Sequence, residues 1–469
     1  MTKTAKKHLP YGISSFVSTF LILTSITAIY SSAIANDKLS IVKPHTNPGQ
    51  QPKDQKTGAT LTKQIPDSPE ITNSANIEKI KQVSKQQNAT IVQYSIITDE
   101  STVKGKTEAQ ESELYIWVIK PTGEMQFRKV DLKAWGKVEN NSFLNLFGRN
   151  RRHHGARSVE AKGIVAYDKP KNKSLKFDLQ KLHQVLIEPI ADLLPQKPEE
   201  RVVFIPQGEL FTVPFAALQD AKGKYLIEKH TISTAPSIQV LDLLYQRQKG
   251  RKDAKPFVPK HITGDELLIV GNPTAPKTPL NPARDNCQPS PLPGAQKEAN
   301  NIAEMFQTQP LIGDAATETA IVEKMPQARI IHLATYTLPN DCAEENSPGV
   351  IALASSQRDD GWLKTEEIQN MKLKADLVVL TGCDTALGRI TGDGVIGLSR
   401  AFLGAGADSV IGSLWDVSDI STVTLMSEFY GSLGKNTDKA GALRQAMLET
   451  MKKYPNPQDW AAFTLIGLL

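Results

Sequence analysis

The chain has few cysteines, little net charge and, after its first 35 residues, no long apolar run. Cys287, Cys342 and Cys383 form no Cys-x-x-Cys pair and no cluster with histidine, which excludes the usual structural zinc sites. A net charge of +5 over 469 residues, without a zinc-finger or helix-turn-helix pattern, argues against a nucleic-acid partner. No repeat of about 20–50 residues recurs, so the chain encodes no solenoid. We therefore expect neither a metal nor any other cofactor.

The first 35 residues have the pattern of a targeting segment. A lysine-rich start precedes an apolar stretch from about Ile13 to Tyr30, and Ala33-Ile34-Ala35 fits the rule for cleavage after small residues. We expect cleavage before Asn36 and export to the periplasm or the extracellular space. The alternative is an uncleaved signal that anchors the protein to the membrane. No later segment is apolar enough to span a bilayer, so no membrane span is expected once the signal is removed.

The cysteine count bears on the redox state of an exported chain. Three cysteines leave at least one that is unpaired or that pairs with another chain. An oxidising compartment would allow a disulfide between Cys287 and Cys342, and the sequence does not decide whether it forms.

Composition divides the rest of the chain into three parts. Residues 36–75 are rich in Pro, Gln, Lys, Thr and Asn and predict a flexible polar linker. Residues 76–197 predict an N-terminal α+β part. Its expected elements are a helix over Asn76–Gln86, strands over Thr90–Thr98 and Glu113–Ile119, a turn at Thr122-Gly123, a short strand from Met125 and an amphipathic helix within Leu175–Leu194.

Residues 198–469 alternate between apolar strands and helices. We expect strands at Arg201–Pro206, Leu267–Val270, Arg329–Ala334, Val350–Leu353, Leu377–Leu380 and Ser409–Ile411. We expect helices at Ala295–Phe306, Glu318–Met325, Gly394–Leu403, Met426–Leu433 and Lys439–Lys453. Continuous apolar strands that alternate with helices indicate an α/β fold with a mainly parallel sheet flanked by helices.

Two side chains stand where a site is expected in such a sheet, beyond the carboxyl ends of its strands. Cys383 follows the strand that ends at Leu380, and Tyr336 follows the strand that ends at Ala334. Cysteine attacks as a thiolate, and at a reference pKa of about 8.5 only a few per cent is ionised at neutral pH. Cys383 is therefore the candidate nucleophile if it lies in an open cleft, and a packed core thiol if it does not. Tyr336, with a reference pKa of about 10, is a poor base.

His332 lies on the same strand as Tyr336, four residues earlier and on the same face. Four residues of strand span about 13 Å, which places His332 inside the sheet if Tyr336 is at its edge. We therefore expect a core histidine. A catalytic role would require the strand to end early.

A basic loop from Asn140 to Gly163 contains several arginines and the pair His153-His154. Two interpretations are open, a binding patch for anions or partners and a solvated insertion. The first requires these cations to converge on one surface, which the sequence does not show.

Several motifs, in order, resemble the CHAT domain, a caspase-like module that is common in bacteria, including cyanobacteria. They are Phe204–Leu218, Ile331–Thr335, Leu380–Thr385, Gly394–Leu403, Ser413–Val417 and Trp460–Gly467. The resemblance runs from about residue 76 to residue 469. It implies kinship with caspases, separases and gingipains, in which a His-Gly pair and a later cysteine form the catalytic dyad.

By this resemblance Cys383 takes the nucleophile position and Tyr336 the position of the catalytic histidine. Tyr336 precedes Cys383 by 47 residues (383 − 336), close to the spacing of about 50 in caspases. Thr337 replaces the glycine whose backbone N–H would face the developing oxyanion. Both residues of the His-Gly pair are therefore missing.

Three hypotheses follow. The first is an exported, catalytically degenerate module that binds a protein or peptide partner or acts in regulation. The second is an active cysteine endopeptidase that uses Cys383 with a non-standard base such as His332. The third is an exported structural scaffold. The sequence fixes neither the partner nor the oligomeric state.

Overall fold

The computed structural model describes residues 70–469 with several gaps. The gaps are 104–105, 140–142, 144–171, 252–256, 258–261, 263, 278–288, 339–348, 383–384, 387, 392–393 and 436–437. The predicted signal, nearly all of the predicted linker, most of the basic loop, and the three cysteines with Asp384 lie outside the described residues.

An eleven-stranded sheet lies at the centre of the described residues, in the order β3-β2-β1-β4-β5-β16-β15-β12-β8-β6-β7. Two smaller sheets, β11-β10-β9 and β13-β14, lie beside it. The strands are β1 (Ala89–Val103), β2 (Lys106–Ile119), β3 (Met125–Asp131), β4 (Arg201–Ile205), β5 (Thr231–Thr234), β6 (Leu267–Pro273), β7 (Leu311–Gly313), β8 (Ile330–Ala334), β9 (Thr337–Leu338), β10 (Val350–Ala352), β11 (Trp362–Lys364), β12 (Leu377–Leu380), β13 (Gly388–Thr391), β14 (Gly394–Gly397), β15 (Ser409–Ser413) and β16 (Phe463–Gly467). Within the large sheet, only β1-β2, β2-β3 and β15-β16 are antiparallel neighbours. The predicted α/β class with a mainly parallel sheet is confirmed.

Helices cover both faces of this sheet. They are α1 (Glu70–Gln87), α2 (Leu132–Glu139), α3 (Asn172–Leu186), α4 (Leu226–Lys229), α5 (Ile238–Gly250), α6 (Pro293–Met305), α7 (Glu318–Lys324), α8 (Thr365–Gln369), α9 (Leu398–Ala405), α10 (Asp419–Leu433), α11 (Lys439–Lys453) and α12 (Pro457–Trp460). Within the described part of the chain, no helix combines the length and apolar character needed to span a bilayer.

The continuous apolar strands are buried on both faces because alternate residues enter different cores. On β12, Leu377 and Val379 join the core that contains α10 and α11, whereas Val378 and Leu380 join the core that contains α5 and α9. This period of two explains why these strands show no polar face.

The N-terminal α+β part continues the same sheet. β1 pairs in parallel with β4, and the hairpins β1-β2 and β2-β3 extend the sheet from there. The predicted turn at Thr122-Gly123 is confirmed, because Gly123 has a φ of +86° and its N–H donates to the Lys120 carbonyl over 2.8 Å. The first helix begins at Glu70, earlier than the expected Asn76.

Several expected elements differ from the structure, and two of them differ because of strand pairing. Val350–Ala352 is a strand, but it pairs antiparallel with β9 and β11 in a separate sheet rather than joining the large one. The helix expected from Gly394 begins at Leu398, because Gly394–Gly397 pairs with Gly388–Thr391 as the hairpin β13-β14. Pairing with a neighbouring segment outweighs the helical spacing of these residues.

Candidate functional site

The ends of β8 and β12 meet at the carboxyl edge of the sheet. The strands are parallel, with Leu333 opposite Leu380, and the Thr381 N–H donates to the Leu333 carbonyl over 3.1 Å. Tyr336 follows Leu333 by three residues and Cys383 follows Leu380 by three residues. The register therefore places Tyr336 and Gly382, the residue before Cys383, beyond the carboxyl ends of adjacent strands. Cys383 itself lies outside the described residues.

Gly382 lies in close contact with the segment that follows β8. A methyl group on its Cα would lie 2.5 Å from the Thr335 carbonyl oxygen, 2.9 Å from Thr337 Oγ1 and 3.0 Å from Thr337 Cγ2. Thr337 is 6% exposed, so its side chain is buried in this contact. The residue at the expected glycine position thus packs its side chain directly against the residue that precedes Cys383.

Tyr336 is half-buried, and it packs against the small sheet formed by β9, β10 and β11 instead of extending into solvent. Its ring packs against the apolar cluster of Leu338, Val350, Ala352 and Trp362. Its carbonyl accepts the Ala352 N–H over 2.9 Å, and Thr335 Oγ1 donates to the Ala352 carbonyl over 2.6 Å. The backbone around Tyr336 is therefore fixed by β10.

His332 is a core residue, as predicted. It is 0% exposed, and its Nδ1 lies 3.1 Å from the Tyr430 hydroxyl. Its Nε2 lies 3.0 Å from Glu298 Oε1 on α6, a contact close enough for an ion pair although its direction is not that of a hydrogen bond. Glu298 and Tyr430 are themselves buried. Both ring nitrogens thus face partners inside the core.

Other family-like motifs converge on the same edge. The first motif contains a 3-10 helix at Gly208–Thr212, which directly follows β4 and contacts both β13 and β14. Gln207, just before it, accepts the Ile96 N–H with its side-chain oxygen over 2.7 Å. The segment after β4 and the hairpin after Cys383 therefore lie together.

Thr385 and Ser413 also contact this site, and sequence reasoning did not single them out. Thr385 follows Cys383 by two residues, and Ser413 ends β15. Both are buried and hydrogen-bonded to each other. The sequence contains one signal that could have identified them: each is a hydroxyl residue in a family motif at the end of an apolar strand.

Glu318 has a buried carboxyl group beside the small sheet of β9, β10 and β11. Glu318, at the first turn of α7, accepts the Gly361 N–H over 3.0 Å with Oε2. Burial, and next the nearby carboxylates of Glu367, Asp359 and Asp360, raise the pKa of Glu318 to about 7. Among the described residues, no group of three or more His, Cys, Asp or Glu is placed to hold a metal ion.

Comparison with curated proteins gives two vertebrate relatives. Tetratricopeptide repeat protein 28 of Mus musculus is 26% identical over 395 residues, covering 73% of this chain and 16% of that protein. The Homo sapiens protein of the same name has the same identity and coverage. The chain thus spans a minor share of these relatives' length.

Solved structures with a similar chain include a separase and a gingipain. Separase of Saccharomyces cerevisiae, in its complex with securin, has a TM-score of 0.46 and 14% identity, covering 85% of this chain and 31% of that chain. The Arg-specific cysteine proteinase gingipain R has a TM-score of 0.36 and 12% identity, covering 71% of this chain and 76% of that chain. A second structure of this enzyme, with its pro-domain, is from Porphyromonas gingivalis.

The family is shown by a match to more than half of the chain. The family model described as CHAT domain matches residues 177–468, which include every strand from β4 to β16. Together with the predicted order of motifs at the carboxyl edge of the sheet, this match shows that the chain belongs to the CHAT domain family.

Proposed function

We propose that this protein is an exported, catalytically degenerate CHAT domain that binds a protein or peptide segment at the carboxyl edge of its sheet. One observation carries the proposal. The Thr337 side chain is buried against Gly382, at the position where a caspase-like site would have a glycine. The residue before it is Tyr336, not histidine.

These two differences remove separate parts of the chemistry. Tyrosine at neutral pH keeps its proton and donates a hydrogen bond, so Tyr336 cannot take the proton of a thiol. Glycine leaves room for a substrate carbonyl to approach the backbone, whereas the Thr337 side chain fills space beside Gly382. Replacing the base alone would therefore leave the oxyanion position altered.

The described histidines do not replace the missing base. His332 faces Glu298 and Tyr430 inside the core. His183 lies within α3, and His230 precedes the first residue of β5, at the amino end of that strand. The pKa of His230 is lowered to about 4, mainly because its ring is buried. None of the three follows the carboxyl end of a strand.

Hydrolysis of a peptide library, followed by mass spectrometry, tests the proposal. We expect no difference between the wild-type protein and Cys383→Ala, and we expect the double variant Tyr336→His, Thr337→Gly to gain cleavage that Cys383→Ala removes. Cys287→Ala serves as the control for loss of a thiol. Cleavage by the wild-type protein that Cys383→Ala abolishes would instead establish an active peptidase.

Binding and export have their own tests. A retained peptide from the same library, bound by wild type and by Cys383→Ala alike, supports a binding site that does not need the thiol. Strong self-association in sedimentation without any peptide ligand would favour a structural scaffold. N-terminal sequencing of the protein recovered from the exported fraction should begin at Asn36 if the signal is cut.

A further inference from the structure

Thr385 and Ser413 form a closed set of hydrogen bonds around the segment that contains Cys383. The Thr385 N–H donates to Ser413 Oγ over 3.1 Å, and the Ser413 N–H donates to Thr385 Oγ1 over 2.8 Å. The Ala386 N–H donates to the Ser413 carbonyl over 2.9 Å. These bonds join the chain after Cys383 to the carboxyl end of β15.

The same two hydroxyls also hold the chain before Cys383. Thr385 Oγ1 donates to the carbonyl of Leu380, the last residue of β12, over 3.0 Å. Ser413 Oγ donates to the Gly382 carbonyl over 2.6 Å. The pair therefore binds the backbone on both sides of residues 383–384.

Each of the two hydroxyls donates a hydrogen bond to a backbone carbonyl and accepts one from a backbone N–H. Thr385 Oγ1 donates to Leu380 and accepts from Ser413, and Ser413 Oγ donates to Gly382 and accepts from Thr385. The residues are 1% and 0% exposed, so water does not compete for these bonds. A buried network in which both hydroxyl donors are satisfied favours one arrangement over its alternatives.

Neighbouring elements add to the restraint. Ser399, in the first turn of α9, donates its hydroxyl to the Thr385 carbonyl over 3.2 Å. A methyl group on the Cα of Gly412 would lie 2.9 Å from the Ala386 nitrogen and 3.1 Å from Thr385 Oγ1. β15 therefore approaches the segment as closely as a glycine allows.

We infer that Thr385 and Ser413 are positioning residues that hold the backbone on both sides of residues 383–384 at the carboxyl edge of the sheet. The inference rests on the proposed function, because it takes Cys383 as the thiol of that site. Neither residue is assigned a chemical step. Their effect on the thiol is through the backbone bonds on its two sides.

Alkylation of the full chain by iodoacetamide over a range of pH, with the three cysteines resolved by mass spectrometry, tests the inference. The plateau rate at high pH measures access to the thiolate, and the midpoint measures its pKa. For Ser413→Ala and Thr385→Val we expect the Cys383 plateau rate to rise at least about fivefold, the effect of roughly 1 kcal/mol, as the lost hydrogen bonds loosen the segment.

Two controls separate positioning from a general loss of stability. Thr385→Ser keeps the hydroxyl and should retain the wild-type profile. Ser409→Ala removes an equally buried serine from the other end of β15, where its hydroxyl donates to the Leu468 carbonyl over 2.6 Å, and should also retain it. If Ser413→Ala does not fold, the comparison of the nearly isosteric Thr385→Val with Thr385→Ser tests the inference in its place.

The inference is overturned if folded Thr385→Val matches the wild-type profile, or if Ser409→Ala changes it as much as Ser413→Ala does. Peptide hydrolysis by the wild-type protein would refute the proposed function and leave this comparison unaffected. The two failures are therefore distinguishable.

Discussion

Gly382 and Thr337 approach each other so closely that Gly382 has no room for a side chain. A methyl group on Gly382 would come within 2.9 Å of Thr337 Oγ1, closer than such contacts are found. Gly382 directly precedes Cys383, and Thr337 directly follows Tyr336. A substitution at Gly382 or at Thr337 therefore changes the packing of both segments. This contact couples the segment that contains Tyr336 to the segment that contains Cys383.

Gly382→Ala should lower the free energy of unfolding by about 1–3 kcal/mol, because the new methyl group forces the two strand ends apart. Thr337→Gly in the same chain should recover only part of this loss, since the Thr335 carbonyl would still lie 2.5 Å away. Thermal or denaturant unfolding measures both variants.

The matched control for this prediction is Gly404→Ala. Gly404 lies within α9, and a methyl group there meets nothing within 4 Å. Alanine in a helix is favoured over glycine by about 1 kcal/mol, so this variant should be at least as stable as wild type. Equal stability of Gly382→Ala and Gly404→Ala would show that the strand ends yield freely.

His332→Ala should destabilise the protein by about 3–5 kcal/mol, because it leaves Glu298 buried without its partner. Adding Glu298→Gln should restore part of the loss, since a neutral amide is less costly to bury than a carboxylate. Unfolding curves measure this, and alkylation of Cys383 provides the second readout. A changed alkylation midpoint in folded His332→Ala would support His332 as a non-standard base.

The sequence predicts the strands of the large sheet well because burial on both faces leaves a continuous apolar run. It also predicts a strand at Val350–Ala352, but not that this equally apolar strand pairs with β9 and β11 in a separate sheet. Partner choice depends on segments that meet only in the fold. The sequence does not predict β5 because this strand has no apolar run. Three of its four residues are Thr or Ser, although all four are buried. Thr234 there bonds to the Leu465 carbonyl of β16.

For the candidate site, the order of strands and motifs is enough to predict that the segments after β8 and β12 meet at one edge, as Gly382 and Thr337 do. The sequence does not show which other residues these segments contact. Ser413 lies 28 residues after Thr385, and only the pairing of β12 with β15 brings their hydroxyls together. Likewise, the sequence shows Thr337 as a departure from a motif but not its packing against Gly382.

Glu318 is a buried acid whose surroundings penalise its charge. Its pKa is raised from 4.5 to about 7, first by burial and then by the charges of Glu367, Asp359 and Asp360. The unfolded chain keeps the lower value. The stabilisation of the folded protein by protonated Glu318 is therefore present below about pH 4.5 and is lost as the pH rises through about 7.

Glu318→Gln removes this titration while keeping an oxygen that can accept the Gly361 N–H. The variant should gain stability over wild type as the pH rises from 5 to 8, by roughly 1–2 kcal/mol after allowance for solvent screening. Unfolding curves at a series of pH values measure this difference. The control is Glu323→Gln on the same helix, where the carboxylate is 61% exposed beside Arg358, and its difference from wild type should not vary with pH in this window. A constant difference for Glu318→Gln between pH 5 and 8 would show that Glu318 is ionised throughout, and that the hairpin of β10 and β11 tolerates a buried charge behind it.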